Sequence, residues 1–168
     1  MKLKIIIFSL IQILKESTFS GLINYLIIKF LKNKNYNIRN KKKLHTGLRK
    51  GISLIGAGEY VISVHLPILK KLNCPIAGIS SKTDKKLAII SKIYNIDTFS
   101  NINDLLINSN YDSLIIATPP YMHPQNLLDS IDKNVYIYLE KPIAINHEGI
   151  NIIEKQIINN PNSKKIMV

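Results

Sequence analysis

Gly51-Ile52-Ser53-Leu54-Ile55-Gly56-Ala57-Gly58-Glu59-Tyr60-Val61 is the stretch whose reading decides the fold of this chain. Ile52–Ile55 is a short apolar run of the kind that forms a buried strand, and Gly56 ends it. Tyr60–Leu72 reads as a helix bent at Pro67, whose nitrogen has no hydrogen to donate. A Gly-x-Gly placed between strand and helix is the context in which a common tripeptide points to a dinucleotide. Glycine at the first position permits the sharp turn out of the strand. At the second it lets the backbone come close enough for helix N–H groups to reach a pyrophosphate. Glu59 and Tyr60, which open the helix, belong to the same candidate site. The third position of the usual pattern, Gly or Ala, is Val61 here, and its branched side chain is expected to hold the helix away from the sheet. Taken alone, the motif also fits a tight strand-to-helix turn that binds nothing.

Downstream, short apolar runs alternate with helical segments, as in parallel βα units. Strands are expected at Ile76–Ile79, near Thr98, at Leu114–Ala117, at Val135–Leu139 and, incipiently, at Lys165–Val168. Helices are expected from a Thr83 cap to about Tyr94, near Asp104–Ile107, at Met122–Ile131 and at His147–Ile158. Six strands with intervening helices imply an α/β fold, a doubly wound parallel sheet of the Rossmann type.

Charge divides the chain in two. Residues 1–50 hold 12 of the 23 Lys+Arg and a single acid, Glu16, whereas residues 51–168 are close to neutral. The expected organisation is therefore a basic extension or linker over 1–50 and a folded domain over 51–168. The abundance of Ile, Lys and Asn is what an AT-rich coding sequence yields without selection for basicity, so no specific nucleic-acid partner is expected. Two apolar runs, Ile5–Leu14 and Leu22–Leu31, fall short of the roughly 20 residues of a membrane span. They are read either as the remnant of an upstream domain, tethered by the polar stretch Asn33–Lys50, or as amphipathic helices lying on an anionic membrane surface. The lone Cys74 excludes a disulfide framework within the chain and a cysteine-based zinc site; no metal is expected, and the cytoplasm is the expected compartment.

The position at the end of the second strand, where a carboxylate would hold the ribose hydroxyls of NAD, carries Ser80-Ser81-Lys82. Hydroxyls and an ammonium suit a 2′-phosphate, so of NAD and NADP the latter is mildly favoured; a polar loop touching nothing is the alternative. Ala117-Thr118-Pro119-Pro120-Tyr121-Met122-His123 follows the fourth strand and Leu139-Glu140-Lys141-Pro142 the fifth. Ligands of open α/β sheets lie beyond the carboxyl ends of the strands, so both segments are expected to face the crevice of the glycine turn. Tyr136 and Tyr138 read as packing residues, His147 as a capping or surface residue, and Cys74 as a small buried group.

The arrangement Gly-x-Gly, then Ala-Thr-Pro-x-x-x-His, then Glu-Lys-Pro resembles the Gfo/Idh/MocA oxidoreductases over roughly residues 51–168, and His65-Leu66-Pro67 matches a His-x-Pro often found in their first helix. The resemblance implies that Lys141 orients substrate or relays a proton, and that Glu140 contacts the nicotinamide side of the pocket. It implies a Lys141–Pro142 bond that is often cis, Thr118 and Pro119 along the adenosine and ribose path, and His123 as a stabiliser of its loop beside the cofactor. Pro120 replaces an asparagine that many members have. The implied parent reaction is hydride transfer between NAD(P) and a hydroxyl-bearing substrate such as a sugar or cyclitol. The family's second α/β domain, which supplies most of the substrate pocket, is expected to be missing, so this chain alone is expected to be inactive unless completed by another domain or chain, and prone to self-association. A non-catalytic nucleotide-binding or assembly module is the alternative. An S-adenosylmethionine methyltransferase would share the glycine loop but explains neither Ala-Thr-Pro nor Glu-Lys-Pro.

Overall fold

The computed structural model describes Leu26 and residues 50–168. Its elements run in the order β1 (Gly51–Ile55), a wide π turn (Val61–His65) leading into α1 (Leu66–Lys71), β2 (Ile76–Ser80), α2 (Asp84–Tyr94), β3 (Thr98–Phe99), α3 (Ile102–Asn108) and β4 (Tyr111–Ile116). A short 3-10 turn (Pro120–Met122) then precedes α4 (His123–Ile131), β5 (Tyr136–Leu139), α5 (His147–Asn159), a second 3-10 turn (Pro161–Lys165) and β6 (Ile166–Met167). Every strand expected from the apolar runs is present, and all pair in parallel in the order β3-β2-β1-β4-β5-β6.

Alternation along the central strands builds two cores, because successive residues of a strand face opposite sides of the sheet. Leu54 of β1 faces one side with Val61, Ile62, Leu66, Ile79 and Ile90, which brings α1 and α2 onto that face. Ile55 faces the other with Leu105, Ile116, Leu127, Leu139 and Ile153, which brings α3, α4 and α5 there. Leu26, helical and half-buried, also packs against the first core. The expectations for the rest of residues 1–49, including both apolar runs, lie outside the described residues. Among the described residues no helix is long and apolar enough to cross a membrane.

Four local expectations are corrected. The helix after the glycine turn does not begin as an ordinary α-helix bent at Pro67: the change of geometry comes earlier, where the Leu66 N–H reaches back five residues to the Val61 carbonyl. Pro67 then falls in the first turn of α1, where its missing N–H leaves nothing unpaired. Val61 is not displaced from the sheet either; it opens the wide turn fully buried. Thr83 stands at the cap position of α2 without a side-chain cap bond. Tyr136 is no packing residue: it is 64% exposed, with the Lys165 ammonium 5.7 Å above its ring. Asn146 caps α5 by accepting from the Gly149 N–H at 2.9 Å, and His147, read as a capping or surface residue, is exposed on the surface.

Candidate dinucleotide site

Strand order places the site. The chain runs outward from β1 to β2 and β3, then crosses to β4 on the other side of β1, so the loops after β1 and β4 diverge and leave a crevice between them. Three backbone bonds hold the strand ends around it at one level: Gly56 N–H to Ser80 O, Ala117 N–H to Ile55 O and Glu140 N–H to Ile116 O, each 2.9 Å.

The two glycines meet different constraints. Gly56 has φ +109°, and a Cβ there would lie 2.5 Å from the Ala117 carbonyl oxygen, so both conformation and the neighbouring strand exclude a side chain. Gly58 has the opposite environment. A Cβ built on it finds nothing within 4 Å, because it would project into the open crevice. That crevice is a cleft of about 660 Å³. Of the residues singled out in the sequence, Gly56, Ala57, Gly58, Glu59, Tyr60, Ser80, Ser81, Lys82, Thr118 and Pro119 all line it.

His123, Glu140 and Lys141 do not line the cleft. His123 is buried behind it, with Nδ1 2.9 Å from the Pro142 carbonyl and Nε2 2.8 Å from the Thr118 carbonyl. It ties the loop after β4 to the turn after β5. The Lys141–Pro142 bond in that turn is cis. Lys141 itself is exposed at the end of β5. Glu140 turns toward the first helix, where His65 Nε2 lies 2.9 Å from its Oε1. Desolvation of the buried ring holds His65 below its ordinary pKa, opposed by the charge and hydrogen bond of Glu140. Burial, and then the Glu140 carboxylate, push the Tyr138 phenol up.

Two residues of the site had no signal in the sequence. Lys86 leaves α2 to line the cleft, its Nζ 3.4 Å from the Ala57 carbonyl oxygen. Asn126 of α4, 1% exposed, donates to Thr118 Oγ1 at 2.6 Å and fixes that hydroxyl. A lysine in the sequence of an amphipathic helix looks solvated, and a buried asparagine looks like any polar position; only the tertiary fold distinguishes them.

Whether these residues suit a dinucleotide can be judged from one atom and one gap. Ser80 is 1% exposed and its Oγ has no hydrogen-bond partner among the described residues, although it lines the cleft. A buried hydroxyl left unpaired costs free energy that a ligand acceptor or donor would recover. The gap is the open space over Gly58, where backbone N–H groups at the start of a helix meet solvent, the geometry that receives phosphate oxygens.

Parallel strands in this order, with a glycine turn at the switch point, define a dinucleotide-binding Rossmann domain. Residues 50–160 match the model of the GFO_IDH_MocA family, described as an oxidoreductase family with an NAD-binding Rossmann fold, and the chain belongs to that family. Glucose-6-phosphate 3-dehydrogenase of Bacillus subtilis (strain 168) is 27% identical over 106 residues, which make up 62% of this chain and 29% of that protein. Among solved structures, scyllo-inositol dehydrogenase from Lactobacillus casei, with bound NAD(H) and scyllo-inositol, superposes with a TM-score of 0.62 at 18% identity, covering 71% of this chain and 36% of that one. The WlbA dehydrogenase from Bordetella pertussis, in complex with NADH and UDP-GlcNAcA, gives 0.59 at 22%, covering 66% and 33%. The chain thus spans about a third of the length of the relatives it matches.

Proposed function

We propose that the cleft holds NAD(P) with its adenosine half over the ends of β2 and β3 and its nicotinamide directed toward β4 and β5, and that the parent reaction is hydride transfer to or from a hydroxyl-bearing substrate such as a sugar or cyclitol. The single observation that carries the reading is the open approach to Gly58 at the switch point, beside the unpaired Ser80 hydroxyl. Gly56, Ala57 and Gly58 would cradle the pyrophosphate, Thr118 and Pro119 would line the path beyond it, and Glu140 would meet the nicotinamide side. The nicotinamide, when bound, supplies the hydride acceptor or donor. Lys141, exposed at the end of β5, would orient the substrate hydroxyl and hold or pass on its proton.

Within that reading the 2′-phosphate form is favoured. Ser81, Lys82 and Lys86 all line the cleft, and the end of β2 carries Ser80-Ser81-Lys82 in place of a carboxylate. Contacts between an ammonium and a phosphate are charge-assisted. Calorimetric titration of the 168-residue chain with NADPH, NADH and S-adenosylmethionine tests both levels. NADPH is expected to bind a fewfold more tightly than NADH, with no heat from S-adenosylmethionine. Tighter NADH binding overturns the phosphate preference, and binding of S-adenosylmethionine alone overturns the whole reading.

A second reading, a nucleotide-binding or assembly module without turnover, is favoured by the exposure of Lys141: among the described residues nothing encloses a substrate beside it. Addition of a chain that carries a substrate-binding α/β domain, followed by assay of hydride transfer, separates the two.

A further inference from the structure

We propose that His65 is a positioning residue for the nicotinamide end of the cofactor, acting through Glu140; the proposal rests on the assignment of the cleft to NAD(P) and of Glu140, at the end of β5 just outside the cleft lining, to its nicotinamide side. His65 closes the wide turn Val61–His65, and a π turn shifts the phase in which later side chains leave a helix. The imidazole thereby meets β5: Nε2 lies 2.9 Å from Glu140 Oε1, and the two side chains are only 15% and 12% exposed. Tyr60 and Tyr138 set their rings edge-on against His65, with centroids 5.2 Å and 6.1 Å away. The second carboxylate oxygen is held as well, since the Lys141 N–H donates to Glu140 Oε2 at 3.3 Å. A carboxylate held by the His65 ring, the Tyr138 phenol and a backbone N–H has lost its rotational freedom, yet of its four lone-pair sites one is left over. That is what a carboxamide N–H donor requires of a partner fixed in advance. The link also joins the helix that follows the glycine turn to the strand end that carries Lys141. In this way a side-chain bond adds to the backbone bonds that already hold the strand ends around the crevice at one level.

A structural role and a positioning role separate when the ligand is shortened. ADP-ribose and its 2′-phosphate fill the adenosine and pyrophosphate parts of the cleft and carry no nicotinamide. Affinities for NADH, NADPH and these two fragments are measured by titration of the full 168-residue chain and of its His65→Ala, His65→Asn and His65→Gln variants. Alanine and the shorter asparagine are expected to lose about tenfold toward both dinucleotides, the scale of a hydrogen bond to a charged group, and less than about twofold toward the fragments. Glutamine, which can present a donor at similar reach, is expected to recover most of the loss. Equal losses toward dinucleotide and fragment, or no loss toward either dinucleotide, overturn the proposal. If alanine prevents folding, the asparagine and glutamine variants decide between the same outcomes. Failure of the unmodified chain to bind any of the four ligands defeats the NAD(P) assignment itself, whereas tight fragment binding with unaltered dinucleotide affinity in the variants defeats only the role of His65.

Discussion

Gly56 and Gly58 stand two residues apart and resist substitution for opposite reasons. At Gly56 the obstacle is the protein: φ is +109° and the Ala117 carbonyl lies where a Cβ would go. Gly56→Ala is therefore expected to destabilise the fold by about 1–3 kcal/mol, the usual cost of a strained backbone position, read as a lower urea midpoint. At Gly58 the obstacle is the ligand. Gly58→Val places its side chain in the open crevice, so the midpoint is expected to stay within about 0.5 kcal/mol of the parent while NAD(P)H binding is lost. A Gly58→Val chain that binds NADPH normally would show that this turn does not face the pyrophosphate. The glycine pair, Ser80–Lys82 and Thr118–Pro119 were legible in the sequence because each sits immediately after an apolar run that can only be a strand. Lys86 and Asn126 were not, since their roles arise from packing between α2 or α4 and a distant loop.

The elements meet at the site through few but specific ties, and His123 is the clearest of them. Its ring lies between the loop after β4 and the turn after β5, with a carbonyl oxygen within 2.9 Å of each nitrogen. A neutral imidazole has one N–H and donates to one of these carbonyls at a time. Replacing it by alanine leaves both carbonyls without that donor in a buried place and opens a cavity beside α4. His123→Ala is expected to cost about 2–4 kcal/mol in denaturant unfolding and to weaken cofactor binding through the loosened loops. Full stability in that variant would mean that water or a neighbouring group replaces the lost donor. The wide turn before α1 had no counterpart in the sequence reading, which placed the irregularity at Pro67 itself. The missing N–H of the proline is absorbed in the first turn of α1, and the wide turn lies just upstream, over Val61–His65.

On the scale of the whole molecule, Lys86 of α2 and Ser100–Asn103 line one part of the crevice, while Lys141 is exposed at the end of β5, outside its lining. Hydride transfer needs the substrate carbon held against the nicotinamide, and such orientation supplies up to roughly 7–11 kcal/mol of an enzyme's barrier reduction. The 168-residue chain is therefore expected to bind NADPH yet leave a panel of sugars, cyclitols and hydroxy acids unoxidised. Steady turnover that disappears in Lys141→Ala would contradict this. The number and order of the strands could be anticipated from the alternation of apolar runs, because the crossover rules leave few topologies open. The packing of Leu26 against the first core could not, as one residue's contact has no local pattern. The same strand order bears on how the chain is made. Synthesis delivers β1 first, but its neighbour β4 comes only after β2 and β3, and Gly56 acquires its contact with Ala117 only when β4 has joined. A nascent chain that has not yet reached Tyr111 has a central strand with one bare edge and no wall for the glycine turn. Competence to hold a nucleotide is thus a late event in biosynthesis, gated by a long-range pairing of the kind that slows folding, and until then the exposed edge of β1 is the segment most in need of protection from aggregation.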